Sequence, residues 1–240
     1  MGDRPLRLCV SAAAEVGAVV DLGAAAVRHA RVMRLRLGDA VELFDGQGWV
    51  AEAVVMHLER SQMSCEVCSV ERHPKPSRRL SMWLGVAKAE KPDLAVRMLT
   101  ELGVAQVCLV TCARSVVKGG ASAERTARLL TIAQEACAQS GNPFLPQIVG
   151  PLSLLEALSL YPLAGEQQGV VLHERGQTSL EQAALVGKNT IGVVGPEGGF
   201  TEEELKMMKT RGFVVVRMAG PILRAETAAV VAATRLLDRM

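Results

Sequence analysis

At 240 residues, 49% of them apolar, the sequence is long enough for one or two domains of about 150 residues with a sizeable core. A formal net charge of +2 excludes a globally cationic surface, so any nucleic-acid contact must rest on local charge. No apolar run reaches the ~18 residues of a membrane span, and Met1-Gly2-Asp3-Arg4-Pro5 lacks the apolar segment of a secretory signal, so a cytoplasmic protein without a membrane partner is expected.

Leu6 to Val10 and Val16 to Leu22 read as short strands. Ala24 to Arg36 reads as an Ala-rich helix and its exit, carrying Arg28, His29, Arg31, Arg34 and Arg36, the densest basic stretch of the chain. It is either a solvated helix face or a contact for phosphates. Ala40 to Phe44 and Trp49 to Leu58 flank a hairpin loop, Asp45-Gly46-Gln47-Gly48, and Ser61 to Glu71 adds a further strand. Short strands at this spacing predict a small β-barrel over residues 1–73, in which Trp49 is either core or a stacking platform for a base. His73-Pro74-Lys75-Pro76-Ser77-Arg78-Arg79 is polar and holds two prolines, which predicts a linker and a second domain over 78–240.

Cysteines and histidines give no metal-binding pattern. Cys65 and Cys68 fall in one strand, where a spacing of three points them to opposite faces. Cys108 and Cys112 share a face inside an apolar run, as buried thiols do in a reducing compartment. No metal is expected.

Beyond the linker, strands and helices alternate. Leu80 to Val86, Val104 to Thr111, Gly169 to Leu172, Thr190 to Val194 and Phe213 to Met218 read as strands. Pro92 to Gly103, Ala123 to Ser140, Leu180 to Gly187, Glu202 to Arg211 and Ala225 to Arg239 read as helices, with Gly212 at the C′ position of the fourth. This alternation predicts an α/β domain with a largely parallel sheet, whose ligand sits beyond the carboxyl ends of its strands. The loops after Leu172, Val194 and Met218 lie there.

The second of these loops is Gly195-Pro196-Glu197-Gly198-Gly199-Phe200-Thr201. Thr201 stands three residues before Glu204, the spacing of a capping box. The loop is either a structural strand-to-helix turn or a place where a ligand meets bare backbone. A phosphate ligand is disfavoured, because no Lys-Ser or Lys-Thr follows the glycines and the spacing is not that of a dinucleotide loop. Glu197, Glu202, Glu203 and Glu204 would repel one, so a neutral or cationic ligand fits better. The third loop brings Arg224 and Glu226 to the start of the last helix, either as a structural cap and ion pair or as a polar pair facing a site. Small residues from Ala228 to Ala233 let that helix pack closely.

Gly195-Pro196-Glu197-Gly198-Gly199-Phe200-Thr201, followed by Ile222-Leu223-Arg224-Ala225-Glu226-Thr227-Ala228, resembles the signature of the SPOUT-class RNA methyltransferases. Within that class the chain is similar to the family that methylates N3 of a uridine in small-subunit (16S) ribosomal RNA, the RsmE type. His29 to Arg34 with Leu43-Phe44-Asp45-Gly46 resembles its N-terminal PUA-like barrel, and Glu101 to Val104 and Arg114 to Lys118 resemble its middle motifs. The resemblance implies an α/β domain with a deep trefoil knot, a homodimer, and S-adenosylmethionine bent into the knot. It implies cofactor contacts from Leu172, His173, Val194, Gly195, Pro196, Glu197, Gly198, Met218, Ala219, Ile222, Leu223, Ala225 and Thr227. Arg114 and Arg224 would stabilise charge on the uracil oxygens, and Glu226 or Glu197 would accept the N3 proton or orient an arginine. Arg28, Arg31, Arg34 and Lys118 would hold the RNA of the 30S particle. The chain departs from the family pattern at Ala219 and Pro221, where Gly and Arg are usual, and at Met98, Ala138 and Asn142, where Lys, Glu and Arg are usual. Those departures keep open a non-catalytic or substrate-shifted RNA-binding protein, and a ribose 2′-O-methyltransferase remains a further alternative.

Overall fold

The computed structural model describes residues 5–85, 91–115, 123–183 and 189–239. The chain divides into two units, one of Met1–Lys75 with Gln134–Leu145, the other of Pro76–Ala133 with Pro146–Met240. The return segment Gln134–Leu145, placed by the sequence in the second domain, clusters with the first unit.

The first unit holds β1 (Leu6–Cys9), β2 (Val19–Leu22), α1 (Ala24–Val32), β3 (Ala40–Phe44), β4 (Trp49–Leu58) and β5 (Met63–Arg72). Its sheet runs β1-β3-β4-β5-β2, with β1 parallel to β3 and the other pairs antiparallel. Alternating apolar residues turn one face inward, and Leu8, Val41, Leu43, Ala51, Val55, Met63, Cys65 and Val67 form a core closed by Val27 and Ala30 of α1. Cys65 is buried and Cys68 exposed, as opposite faces require. The hairpin loop is fixed by Asp45, whose Oδ1 accepts from Gln47 N (2.6 Å) and Trp49 N (3.1 Å). Trp49 is 1% exposed and its Nε1 donates to Ala14 O (3.2 Å), so it is core and offers no stacking platform.

The second unit holds β6 (Arg79–Gly85), α2 (Lys91–Glu101), β7 (Gln106–Thr111), α3 (Ala123–Ser140), β8 (Gln147–Ser153), α4 (Leu154–Leu160), β9 (Gln167–Leu172), β10 (Thr178–Ser179), β11 (Asn189–Val194), α5 (Glu202–Thr210), β12 (Phe213–Arg217) and α6 (Ala225–Leu237). The last residues of α3 belong to the first unit. Seven strands in the order β10-β12-β9-β11-β6-β7-β8 pair in parallel throughout. Near-continuous apolar runs such as Val107-Cys108-Leu109-Val110 are what a sheet covered on both faces demands.

On one face, Trp83, Cys108, Val171, Ile191 and Val193 pack against Leu154 and Leu158 of α4 and Leu205 and Met208 of α5. The other face receives α6 through the buried Ala228, Ala229, Ala232 and Ala233, which bring the helix close enough for Leu236 to lie over Gly192. Parallel strands place the loops that follow β9, β11 and β12, three neighbours in the sheet, along one edge.

The structure departs from the sequence reading in two further stretches. β8 and α4 fill a stretch in which no element was expected. The helix expected over Leu180 to Gly187 is not formed in its described part. Residues 180–183 are turns following the two-residue β10, while 184–187, like Val86, lie outside the described residues. Arg235 and Arg239, near the carboxyl end of the last helix, tie it to these turns: Arg235 pairs with Glu181, and Arg239 donates to Leu180 O and to Ala183 O (2.8 Å). Among the described residues no helix is long and apolar enough to cross a membrane, and no cluster of His, Cys, Asp or Glu could hold a metal ion.

Candidate active site

The loops after β9, β11 and β12 surround one cavity of about 750 Å³. That lies within the range of about 300–1,000 Å³ typical of small-molecule sites. Each wall has a local cause. The β11 loop leaves the sheet at Val194-Gly195 and crosses the end of β6 at Gly85. A Cβ on Gly85 would lie 2.3 Å from Pro196 N and 2.7 Å from Gly195 C, so only glycine lets the loop pass. The loop ends in a capping box: Thr201 Oγ1 accepts from Glu204 N (3.2 Å) and Glu204 Oε2 accepts from Thr201 N (2.8 Å).

The other Glu204 oxygen accepts from Ala113 N (2.8 Å), which fastens α5 to the turn after β7. That turn carries Arg114, whose Nη1 donates to Gly198 O (3.1 Å) and whose Cβ would stand 2.9 Å from a Cβ on Gly198. The β9 loop is held by His173 N donating to Val216 O (2.8 Å), and His173 Nδ1 accepts from Arg175 N (3.2 Å). The β12 loop runs exposed through Ala219, Gly220, Pro221 and Ile222 into Arg224, the N-cap residue of α6, whose side chain makes no capping bond.

Of the residues singled out from sequence, Leu172, His173, Val194, Gly195, Pro196, Glu197, Gly198, Met218, Ala219, Ile222, Leu223 and Ala225 line this cavity together, as do Arg114 and Arg224. Thr227 and Glu226 do not. Thr227 is exposed on the first turn of α6. Glu226 turns the other way, into an adjoining apolar cavity of about 20 Å³ lined by Leu84, Pro92, Ala95 and Leu109, where its Oε2 is buried without a hydrogen-bond partner. Arg224 and Glu226 therefore border different, adjoining spaces. Arg28, Arg31 and Arg34 are exposed on α1 and its exit in the first unit. Lys118 lies outside the described residues.

Arg175, Arg217 and Glu174, which sequence reasoning missed, also line the cavity, together with Phe200 and Glu202 of the glycine loop and the helix start that follows it. Glu202 is one of the carboxylates expected to turn a phosphate away. Four arginines and three glutamates thus border the site, so it is mixed in charge rather than acidic. Glu204, which the sequence counted among the carboxylates facing the ligand, is 8% exposed and spent on backbone N–H groups.

An all-parallel sheet with three backbone-rich loops around one cavity defines an α/β protein that binds a small organic ligand at the carboxyl edge of its strands. Residues 73–237 match the model of an RNA methyltransferase domain, and residues 22–68 that of an RNA methyltransferase PUA domain. The ribosomal RNA small subunit methyltransferase E of Mycobacterium bovis is 30% identical over 220 residues, 90% of this chain and 84% of that one. The protein of the same name from Aquifex aeolicus is 27% identical over 85% of this chain and 87% of its own length. Among solved structures, ribosomal RNA small subunit methyltransferase E from Neisseria gonorrhoeae, bound to S-adenosyl methionine, superposes with a TM-score of 0.90 at 28% identity over 98% of each chain. The chain belongs to this RNA methyltransferase family, that of the ribosomal RNA small subunit methyltransferases E.

Proposed function

We propose that the chain methylates N3 of a uridine in the 16S RNA of the 30S subunit, using S-adenosylmethionine held by the loops after β9, β11 and β12. The observation that carries this reading is the single backbone-lined cavity shared by those loops. The residues fit the cofactor. Gly195 and Gly198 bare the backbone, Leu172, Val194, Met218 and Leu223 supply apolar walls, and Phe200, 3% exposed, lies against Gly195. The departures Ala219 and Pro221 sit at the exposed rim and leave the cavity open. A trefoil knot through these loops, a homodimer and a cytoplasmic location are part of the same proposal. The exposed Leu94 and Ile222 support the homodimer, and the free cysteines suit a reducing compartment.

When bound, S-adenosylmethionine supplies an electrophilic methyl group on a sulfonium. The protein's own task is to orient the uracil in line and to manage one proton. N3 must lose its proton to become nucleophilic, and charge then grows on the uracil oxygens. Arg224 and Arg114 border the cavity and stabilise that charge. Glu197 also lines it and receives the N3 proton directly or through one water, whereas Glu226 opens on the neighbouring space. The exposed arginines of α1 contact RNA phosphates.

Titration calorimetry with S-adenosylmethionine, followed by methyl transfer to 30S particles lacking the mark, tests the reading. Saturable binding is expected, with an N3-methyl rather than a 2′-O-methyl product by nucleoside mass spectrometry. Arg224→Ala should lower kcat by about 10²–10³ with cofactor affinity retained. Absence of saturable cofactor binding would sink the proposal.

A further inference from the structure

We infer that Arg175 and Arg217 form a grip for a backbone phosphate of the RNA strand at the mouth of the cavity, beside the nucleotide whose base enters it. The inference rests on the methyltransferase reading and assigns to it two residues that the reading leaves idle. Four arginines border the cavity, and two are already engaged: Arg114 donates to Gly198 O, and Arg224 stands at the start of α6 where the uracil oxygens are stabilised. Arg217 ends β12, is exposed, and has no ion-pair partner among the described residues. Arg175 meets Glu202 at 3.4 Å, with both side chains about three-quarters exposed (75% and 77%), a contact that water screens and a phosphate can displace.

The two side chains start from a rigid base. His173 N donates to Val216 O (2.8 Å), and Leu180 N donates to Arg217 O (2.8 Å). Gly176 presses so closely on this strand end that a Cβ there would lie 2.3 Å from Val216 C and 2.5 Å from Arg217 N. The loop bearing Arg175 and the strand bearing Arg217 are therefore one edge, held by backbone contacts that spare both guanidinium groups. Paired guanidinium forks match the oxygens of a phosphodiester. Every nucleotide delivered to the cavity brings such a group on each side of its sugar. The other anion within reach is the carboxylate of the cofactor, but the exposure of both arginines favours a partner arriving from outside.

Wild type, Arg175→Ala, Arg217→Ala and Arg217→Lys are compared in three measurements: binding to 30S particles lacking the mark across a salt series, methyl transfer to the same particles, and calorimetry with S-adenosylmethionine. Each alanine variant should raise KM for the particle about tenfold with kcat kept, and reduce the slope of log K against log salt by about 0.7–0.9. Cofactor affinity should not change, and lysine should restore most of the slope, since it keeps the charge. Wild-type slopes in both alanine variants overturn the grip. Weakened cofactor binding with an intact salt slope also overturns it and reassigns the pair to the cofactor carboxylate. The slope is read from binding alone, so it decides the grip even if wild type transfers no methyl, the result that would instead fail the functional reading.

Discussion

Gly85 shows how far one residue controls the site. It ends β6, and the backbone of Gly195-Pro196 crosses it at a distance no side chain tolerates. Gly85→Ala should therefore displace the loop that carries Glu197 and Gly198, with an overpacking cost of about 1–3 kcal/mol. Calorimetry should find cofactor affinity at least tenfold weaker while the far-UV spectrum keeps its wild-type shape; unchanged affinity would mean the loop is not the cofactor's wall. Nothing in the sequence marks this glycine, because its partner is far along the chain and only the pairing of β6 with β11 brings them together. Gly195 and Gly198 were legible for the opposite reason: they cluster between an apolar strand and a capping box. Arg175 and Arg217 were not, since a charged residue at a strand end has no pattern until the sheet order places it.

At the scale of elements, α5 is the best determined piece of the site. Its capping box, read directly from Thr201 and Glu204, forms as spaced, and Gly212 follows its end with φ +88°. Thr201→Ala should cost about 1 kcal/mol in urea denaturation. Glu204→Ala should cost more, about 2–4 kcal/mol, because it leaves both Thr201 N and Ala113 N without a carboxylate in a mostly buried place. It should also loosen Arg114, so activity should fall further than for Thr201→Ala. Equal costs for the two variants would show that the Ala113 bond does not hold the turn.

Other elements were harder to read. β8 contains Gly150-Pro151 and no residue as buried as the central strands, which conceals its period; proline is tolerated there because β8 is a sheet edge. α4 carried a readable signal, the capping box of Ser153 and Glu156, that went unused. β10, at two residues, is too short to leave any pattern.

For the whole molecule, the buried thiols tie stability to pH. Burial pushes Cys65 up to about 11, and Cys108, Cys112 and Cys137 up to about 12, the Glu204 carboxylate adding to the rise at Cys112. An unfolded thiol ionises near 9, so the unfolded chain gives up these protons first. The stabilisation is complete below about pH 9 and is lost as pH climbs toward 11–12. Denaturation midpoints should therefore hold from pH 7 to about 8.5 and then fall, and Cys108→Ala with Cys137→Ala should flatten the fall. An alkaline slope unchanged by those substitutions would assign it to other groups. The class of the fold was legible at this scale because strand-helix alternation admits few architectures. The membership of Gln134–Leu145 in the first unit was not, because the helix pattern runs on through Ser140 without a break.

The position of β6 has a kinetic consequence. It lies between β7, its close successor in the chain, and β11, which pairs Leu80 with Thr190 across nearly half the sequence. Such a pairing must wait for a large closure, and proteins built on distant partners fold slowly. Until it forms, β9, β11 and β12 lack the strand end on which the Gly195-Pro196 crossing rests. Competence to capture the methyl donor should thus appear late in refolding, at the final zippering of the sheet's centre, rather than in any early collapsed intermediate.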